Sequence, residues 1–192
     1  MNKRITVSFA NGESREYDKG TVLLQIAKEV QELYSTPIVA AKVNNAIKDL
    51  QSTLDTDCKI EFFDLSTDLG NKVYQRSLTF VMLTAARELF PQGQVTVEHS
   101  LSKGLYCEWY IGRAVTVKDV AALQEKMRSI IKEDCPISMK SLPIAEAIDL
   151  FKASRQKEKV KHLQQLKRPR VRIYYCKEAY DYFYGTMAPS TG

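Results

Sequence analysis

The chain has 192 residues, of which 44% are hydrophobic and 27% are charged, which is the composition of an ordinary globular protein. No apolar run approaches the roughly 18 residues that a membrane span needs, so we expect no membrane partner. The net charge of +5 permits an anionic partner without requiring one. The opening residues, Met1-Asn2-Lys3-Arg4, lead into a strand-like segment and not an apolar signal core, which predicts a cytoplasmic location.

The cysteines are far apart in the sequence, and no two of them form a CxxC pair. The spacing typical of zinc ligands is therefore absent, and a cytoplasmic chain rarely keeps disulfides. We expect four reduced thiols and no metal site. The four residues are Cys58, Cys107, Cys135 and Cys176.

The first 64 residues predict a sheet with one helix. Alternating apolar residues predict strands over residues 4–9 and 13–17, joined by a hairpin at Asn11-Gly12. A helix is expected to follow Gly20, with Thr21 as its N-cap. Three further short strands are predicted at residues 38–43, 47–50 and 59–63.

A mixed sheet wrapped around one helix accounts for this order, and that is the β-grasp plan of ubiquitin-like domains. Three stretches resemble a TGS domain, the β-grasp module at the N-terminus of threonyl-tRNA synthetases and of some GTPases. They are Ile5-Thr6-Val7, Gly20-Thr21 and Val39-Ala40-Ala41-Lys42-Val43-Asn44. The resemblance implies a TGS-like β-grasp domain over residues 1–64. Because such modules bind RNA, proteins or small ligands, this fold does not identify a function.

The second part of the chain is organised around an apolar helix predicted over residues 71–90 and stopped by Pro91. The strand-like segments after it, at residues 94–99 and 105–111, are its expected cover. Thr116 with Asp119 resembles a capping box and opens an amphipathic helix. A strand, two short helices, a strand and an aromatic-rich segment complete the predicted order; they lie at residues 136–140, 144–151, 156–166, 170–175 and 179–184.

This order resembles the second N-terminal domain of threonyl-tRNA synthetase, which alanyl-tRNA synthetase shares and which hydrolyses mischarged tRNA. The resemblance depends on Glu88-Leu89-Phe90-Pro91, on Gly104-Leu105-Tyr106 and on the segment from Asp181 to Gly192. It implies an α+β fold of two domains, the TGS-like domain over residues 1–64 and the editing-like domain over residues 65–192.

The catalytic pattern of that editing family is missing. The family carries HxxxH on the central helix and CxxxH near the end of the domain, and four such side chains converge like metal ligands. In this chain none of the four motif positions holds a His or Cys, and two of them hold phenylalanine. A phenylalanine can neither ligate a metal nor transfer a proton, so we expect no catalytic residues of this kind. Lys159 and Asp181 still match a lysine and an aspartate of the editing pocket. The motif positions are occupied here by Arg76, Phe80, Phe183 and Met187.

A second resemblance is to a bacterial family of uridine (nucleoside) kinases, in which the same two domains precede a P-loop kinase domain. It depends on Tyr74-Gln75-Arg76-Ser77-Leu78, Glu98-His99-Ser100 and Tyr182-Phe183-Tyr184-Gly185. It implies a non-catalytic regulatory or ligand-binding region whose partner is its own kinase domain beyond Gly192. ATP and Mg would serve that parent kinase and not this chain, which contains no GxxxxGK[ST] motif.

Under this hypothesis, a nucleoside or nucleotide binds in the degenerate editing pocket. Burying the Arg76 guanidinium requires a partner, either Asp181 or a bound anion. The polar stretch around His99 is either an anion site or a hairpin turn with a hydrogen-bonded histidine. The tyrosines near the end either line the pocket or pack on the central helix. The predicted ligand-binding residues are Arg76, His99, Ser102, Lys103, Tyr106, Lys159, Asp181 and Tyr184.

The alternative function is an RNA (tRNA)-binding module with editing hydrolysis lost. Residues 152–172 contain nine Lys and Arg and one acidic residue, followed by Tyr174 and Tyr175. Such a segment is either an electrostatic surface for RNA or a solvated helix face and edge strand. A third hypothesis is an editing hydrolase that works through unfamiliar residues. The predicted RNA-binding residues are Lys157, Lys161, Lys167, Arg168, Arg170 and Arg172.

Overall fold

A computed structural model describes residues 3–101, 104–154 and 156–192. These residues form a mixed α+β structure with several sheets and divide into two compact units. The first unit comprises Met1–Pro136 and Gly185–Gly192, and the second comprises Ile137–Tyr184. Within the described part of the chain, no helix is both long and apolar enough to cross a bilayer.

The elements of the first unit are, in chain order, β1 (Arg4–Phe9), β2 (Ser14–Asp18), β3 (Thr21–Val22), α1 (Leu23–Val30), a 3₁₀ turn (Gln31–Leu33), β4 (Ile38–Val43), β5 (Ala46–Lys48), β6 (Thr53–Leu54), β7 (Cys58–Asp64), α2 (Asp68–Leu89), β8 (Gln94–Leu101), β9 (Gly104–Tyr110) and α3 (Val117–Lys132). The second unit contains β10 (Ser138–Pro143), α4 (Ile144–Ala153), α5 (Lys157–Gln165), β11 (Arg170–Cys176) and β12 (Ala179–Tyr182).

The first sheet has the strand order β2-β1-β7-β4-β5 and encloses one face of α1. β1 runs parallel to β7, and the other pairings are antiparallel. Buried and exposed residues alternate along β1 and β7, as expected for a sheet with one face covered. The helix contributes apolar residues at helical spacing. They are Leu23, Ile26, Ala27 and Val30.

The predicted N-cap of α1 is wrong. The helix begins at Leu23 after Val22, which provides no side-chain cap. Thr21 and Val22 are extended because they pair with Leu54 and Thr53 in a two-stranded ribbon. The Thr21 hydroxyl instead donates a hydrogen bond of 2.7 Å to the carbonyl oxygen of Asp18. Pairing between segments therefore overrides the local capping preference of threonine.

α2 begins three residues earlier than predicted, at Asp68, because Thr67 caps it. The Thr67 hydroxyl accepts a hydrogen bond of 3.0 Å from the Gly70 amide. Gly70 packs directly on the preceding turn, where an added Cβ would lie 1.9 Å from the carbonyl oxygen of Asp64. The helix ends at Leu89, ahead of Pro91, as predicted.

The cover of α2 differs in part from the expected one. Val81, Ala85 and Ala86 of α2 form an apolar cluster with Leu123 and Ile130 of α3. The β8–β9 hairpin adds Val95 and Trp109 to this cluster. The helix is therefore covered by another helix as well as by the predicted strands. The capping box of α3, Thr116 with Asp119, is confirmed.

The second unit is a three-stranded antiparallel sheet, β10-β11-β12, with two helices on one face. Its centre is an apolar cluster of Ala147 and Phe151 from α4, Leu163 from α5, and Val171 and Ile173 from β11.

The compact units group the chain differently from the predicted division into residues 1–64 and 65–192, which stays a prediction. An apolar cluster drawn only from residues 5–62 forms a core of its own within the first unit. A smaller cluster joins Val39 and Ala40 of β4 to Val73 of α2, with Leu65 and Ala188 packed against it. The first unit thus continues through the predicted boundary.

Residues 185–192, which we call the C-terminal strap, complete the first unit. The amide of Met187 donates to the Asp49 carboxylate at 3.0 Å, and the amide of Ala188 donates to the Ser77 hydroxyl at 2.8 Å. The Thr191 hydroxyl donates to the carbonyl oxygen of Ile130 at 2.7 Å. The strap therefore connects the segment after β5 to α2 and α3.

Candidate ligand cleft and basic surface

The first unit contains a cleft of about 910 Å³ between α2, the tip of the β8–β9 hairpin and α3. Its polar wall is a single stripe of α2, because residues spaced by three and four share one helix face. No acidic residue lines the cleft in the described part of the chain. The stripe consists of Lys72, Gln75, Arg76 and Thr79.

A β-bulge between Val97 and His99 determines which hairpin side chains reach the cleft. The extra residue reverses the alternation of β8, so that Ser100 and Leu105, which are paired across the hairpin, both line the cleft. His99 pairs with Tyr106 on the opposite face. Their rings stack with centroids 5.0 Å apart.

His99 and Tyr106, both predicted from the sequence to bind a ligand, thus form an exposed aromatic pair. Neither is among the described residues that line the cleft. Ser102 and Lys103, predicted as hydrogen-bond donors at the hairpin tip, lie outside the described residues. Gly104, which follows them, does line the cleft.

Arg76 is held by the C-terminal strap. Its Nη1 donates a hydrogen bond to the carbonyl oxygen of Thr186. An added Cβ on Gly185 would lie 3.0 to 3.1 Å from three atoms of the guanidinium and would crowd it. Gly185 also has a φ of +110°, which disfavours any other residue there. The guanidinium therefore has a fixed position at the edge of the cleft.

Lys159 and Asp181, the two matches to the editing pocket, form an ion pair within the second unit. Asp181 is 1% exposed, and its carboxylate also accepts a hydrogen bond of 2.6 Å from the Tyr182 amide. The Lys159 ammonium lies 5.6 Å from the centroid of the Phe151 ring. Arg76 and Asp181 each have a partner within their own unit, and the pairing of the two with each other stays a prediction.

Tyr184 is the exposed end of an aromatic group in the second unit. The Arg168 guanidinium lies over its ring at 4.7 Å from the centroid and donates to its hydroxyl. Tyr182 meets Tyr184 edge-on, with centroids 5.9 Å apart. Burial is the main cause that raises the pKa of Tyr182 above its usual value. Stacked cations and rings of this kind are suited to contact nucleic-acid bases.

The positive charge of the protein is concentrated in the second unit. Residues 137–184 contain eleven Lys and Arg against five Asp and Glu, so this unit alone exceeds the net charge of the whole chain, and the remainder is slightly acidic. All six residues predicted to bind RNA are exposed.

The six residues do not share one face. α5 covers the face of β11 that carries Val171 and Ile173, so Arg170 and Arg172 point to the opposite face. Lys157 and Lys161 lie on α5 itself. Lys167 and Arg168 occupy the connection between α5 and β11 and so lie between the two groups.

The described residues include no group of three or more His, Cys, Asp or Glu side chains that could hold a metal ion. All four cysteines are free thiols. Of the positions that match the editing motif, Phe80 and Met187 are each 1% exposed and so belong to the packed interior of the first unit.

Several residues of the cleft were missed by the sequence analysis. Lys72, Thr79 and Ser100 line it, although none of them was predicted as a site residue. For the two on α2, the signal was available as a polar stripe at helical spacing on an otherwise apolar helix. Ser100 belongs to the polar stretch around His99 that the sequence marks as a candidate anion site, but only the bulge determines that Ser100 faces the cleft.

Curated relatives of the chain are threonine–tRNA ligases, while no protein-family model matches it. Identity is 32% to Threonine--tRNA ligase of Syntrophomonas wolfei over 98% of this chain, and 26% to that of Francisella tularensis subsp. novicida over 97% of it. The chain spans 30% of the length of each of these relatives. It is homologous to the N-terminal region of threonyl-tRNA synthetase. These relatives give no support to a kinase parent.

Proposed function

We propose that this chain is an RNA-binding module whose ligand is tRNA and which no longer performs editing hydrolysis. The observation that carries the proposal is the alignment of nearly the whole chain with proteins named as threonine–tRNA ligases. Similarity over 98% of the chain is best explained by retention of a whole functional region and not of one motif.

The charge distribution supports this proposal. The phosphate backbone dominates the affinity of proteins for nucleic acids, and exposed Lys and Arg side chains supply that attraction. Here the positive excess is confined to the second unit, next to exposed tyrosine. We infer that the connection carrying Lys167 and Arg168, together with Tyr184, is the centre of the RNA-binding surface.

The mixed sheet around α1 supports a TGS-like β-grasp assignment for residues 1–64. Loss of hydrolysis is supported by the residues at the editing positions. The aromatic ring of Phe80 and the thioether of Met187 have no group that can activate water. The regulatory region of a uridine kinase, with ATP and Mg in its parent, stays a prediction from sequence resemblance.

The proposal is tested by measuring tRNA binding by fluorescence anisotropy as a function of salt concentration. We expect affinity that falls steeply with salt, because each neutralised phosphate contributes roughly 0.7 to 0.9 to the slope of log affinity against log salt. The double variant K167Q/R168Q should weaken binding and reduce this slope by about 1 to 2.

The matched control is K48Q/K59Q, which removes two exposed lysines from the first sheet and should leave tRNA affinity nearly unchanged. Absent or salt-independent binding by the intact protein would overturn the proposal. A mischarged threonine tRNA should remain intact during the same incubation.

A further inference from the structure

The cleft of the first unit has a chemical character of its own. Lys72 and Arg76 place two positive charges one helical turn apart on its polar wall, beside the hydroxyl of Thr79. Lys72 is exposed and has no hydrogen-bond or ion-pair partner in the described part of the chain. With no carboxylate among the described lining residues, the wall favours an anion.

Beyond this polar stripe, the lining of the cleft is mainly apolar and comes from the later part of α2, the hairpin and α3. Met82 and Met127 contribute thioethers, which pack favourably against aromatic rings. Leu105, at the hairpin, is 48% exposed and extends this apolar wall. A ligand that satisfies both walls must carry an anionic group at one end and a flat apolar body at the other.

The dimensions agree with a ligand of that description. A volume of about 910 Å³ lies within the range of pockets that hold cofactors and other small molecules. Polyphosphates are normally bound with Mg²⁺ and its carboxylate or hydroxyl ligands, and the described cleft residues provide no carboxylate. A single phosphate is the better match to Lys72 with its neighbouring arginine.

We propose that this cleft binds a free nucleoside monophosphate, with the phosphate at Lys72 and the base against Met82, Leu105 and Met127. Arg76 adds positive charge beside the phosphate and is kept in place by its bond to the Thr186 carbonyl. The site lies wholly within the first unit and does not depend on RNA binding by the second.

The test is to titrate the full chain with adenosine 5′-monophosphate and with uridine 5′-monophosphate. Binding is measured by calorimetry and by the changes in NMR chemical shift of the α2 amides. We expect the monophosphates to bind more tightly than the corresponding nucleosides or inorganic phosphate. K72Q should weaken monophosphate binding roughly tenfold, because a charge-assisted hydrogen bond is lost, and should leave nucleoside binding unchanged.

L105A should weaken the nucleosides and the monophosphates by a similar factor, because both use the apolar wall. K118Q, at an exposed lysine of α3 outside the cleft, is the matched control and should have no effect. Circular dichroism of each variant establishes that the fold is retained.

Two outcomes would overturn the proposal. One is the absence of monophosphate binding at millimolar concentration. The other is monophosphate binding that K72Q does not change. In the first outcome, a loss of tRNA affinity in K72Q would assign the cleft to an RNA terminus. Loss of tRNA binding in K167Q/R168Q with unchanged nucleotide binding separates this site from the RNA-binding surface.

Discussion

The N-terminal sheet region (residues 3–64) and the second unit hold their positive charges in different ways. The N-terminal sheet region has eight basic residues against ten acidic ones, and the second unit has eleven against five. In the described residues, one cation of the N-terminal sheet region lies over an aromatic ring, compared with three in the second unit. Exposed ion pairs occur in both regions: the sheet region has Arg4–Glu16, Arg15–Glu13 and Lys42–Glu61, and the second unit has Lys152–Asp149 and Lys161–Glu158.

The difference indicates what each region is suited to do. A cation beside a surface carboxylate is locally neutralised, whereas a cation over a ring keeps its full charge for an incoming phosphate. Arg168 over Tyr184 is such an arrangement. The N-terminal sheet region has a small excess of acidic residues, whereas the excess of basic residues makes the second unit the part that attracts anions.

The largest expected loss of unfolding free energy comes from core substitutions, which test whether the two regions have separate hydrophobic cores. L23A and L163A each remove a side chain that is 0% exposed, one from each apolar cluster. Each should lower the free energy of unfolding by about 3 kcal/mol. Hydrogen exchange should accelerate mainly in the region that carries the substitution. Equal acceleration in both regions would show that they unfold together.

The next effect concerns the ion pair in the second unit. D181N removes a carboxylate that is 1% exposed and leaves the partly exposed Lys159 ammonium without it. We expect the free energy of unfolding to fall by about 2 kcal/mol, less than for a fully buried pair because Lys159 remains accessible to water. Urea denaturation measures this loss. A change as small as that of a surface pair would show that this ion pair contributes no more to the second unit than an exposed pair does.

A smaller effect should appear in acid. Two Arg113 bonds of 2.7 Å, followed by bonds from Thr116, hold the pKa of Asp119 well below its usual range. Because this pKa is lowered on folding, its stabilising contribution is complete above about pH 4. It is lost as the pH falls through the lower pKa of the folded state.

D119N should therefore flatten the dependence of unfolding free energy on pH over the acid range. D55N, at an exposed aspartate, is the control and should keep the slope of the parent protein. A slope that D119N does not alter would assign the acid sensitivity to other carboxylates.

The smallest effect belongs to the surface pairs. E16Q removes the partner of Arg4 from a pair whose side chains are 63% and 65% exposed. The free energy of unfolding should change by less than about 0.5 kcal/mol, because water and salt screen such pairs. A larger change, measured by the same denaturation, would show that the charges of the N-terminal sheet region also stabilise its fold.

Much of the fold could be predicted because alternating and helical patterns are local. β1 was predicted with its observed bounds, and the Thr116–Asp119 capping box was read from spacing alone. The β3–β6 ribbon was missed because a two-residue strand has no periodicity to detect. α3 as cover for α2 was missed because an amphipathic helix does not specify which neighbour its apolar face meets.

The candidate site was less predictable than the fold. Arg76 was identified because a charged residue interrupts an apolar helix, but its bond to Thr186 joins residues far apart in sequence. The pairing of Lys159 with Asp181 likewise depends on how α5 meets β12. Ser100 faces the cleft only because of a β-bulge, and no residue type in the hairpin predicts that bulge from the sequence.

The C-terminal strap also sets an order for synthesis of the chain. The second unit is inserted between Pro136 and Gly185, and residue Ser190 forms a bridge with Pro136 across that insertion. During translation, domains generally fold from the N-terminus as they emerge from the ribosome. The first unit begins to fold early but lacks its last hydrogen bonds until the insertion and the eight residues after it have emerged. A nascent chain stopped at Tyr184 would therefore lack the hydrogen bonds that the strap makes with the Arg76 guanidinium and the Asp49 carboxylate.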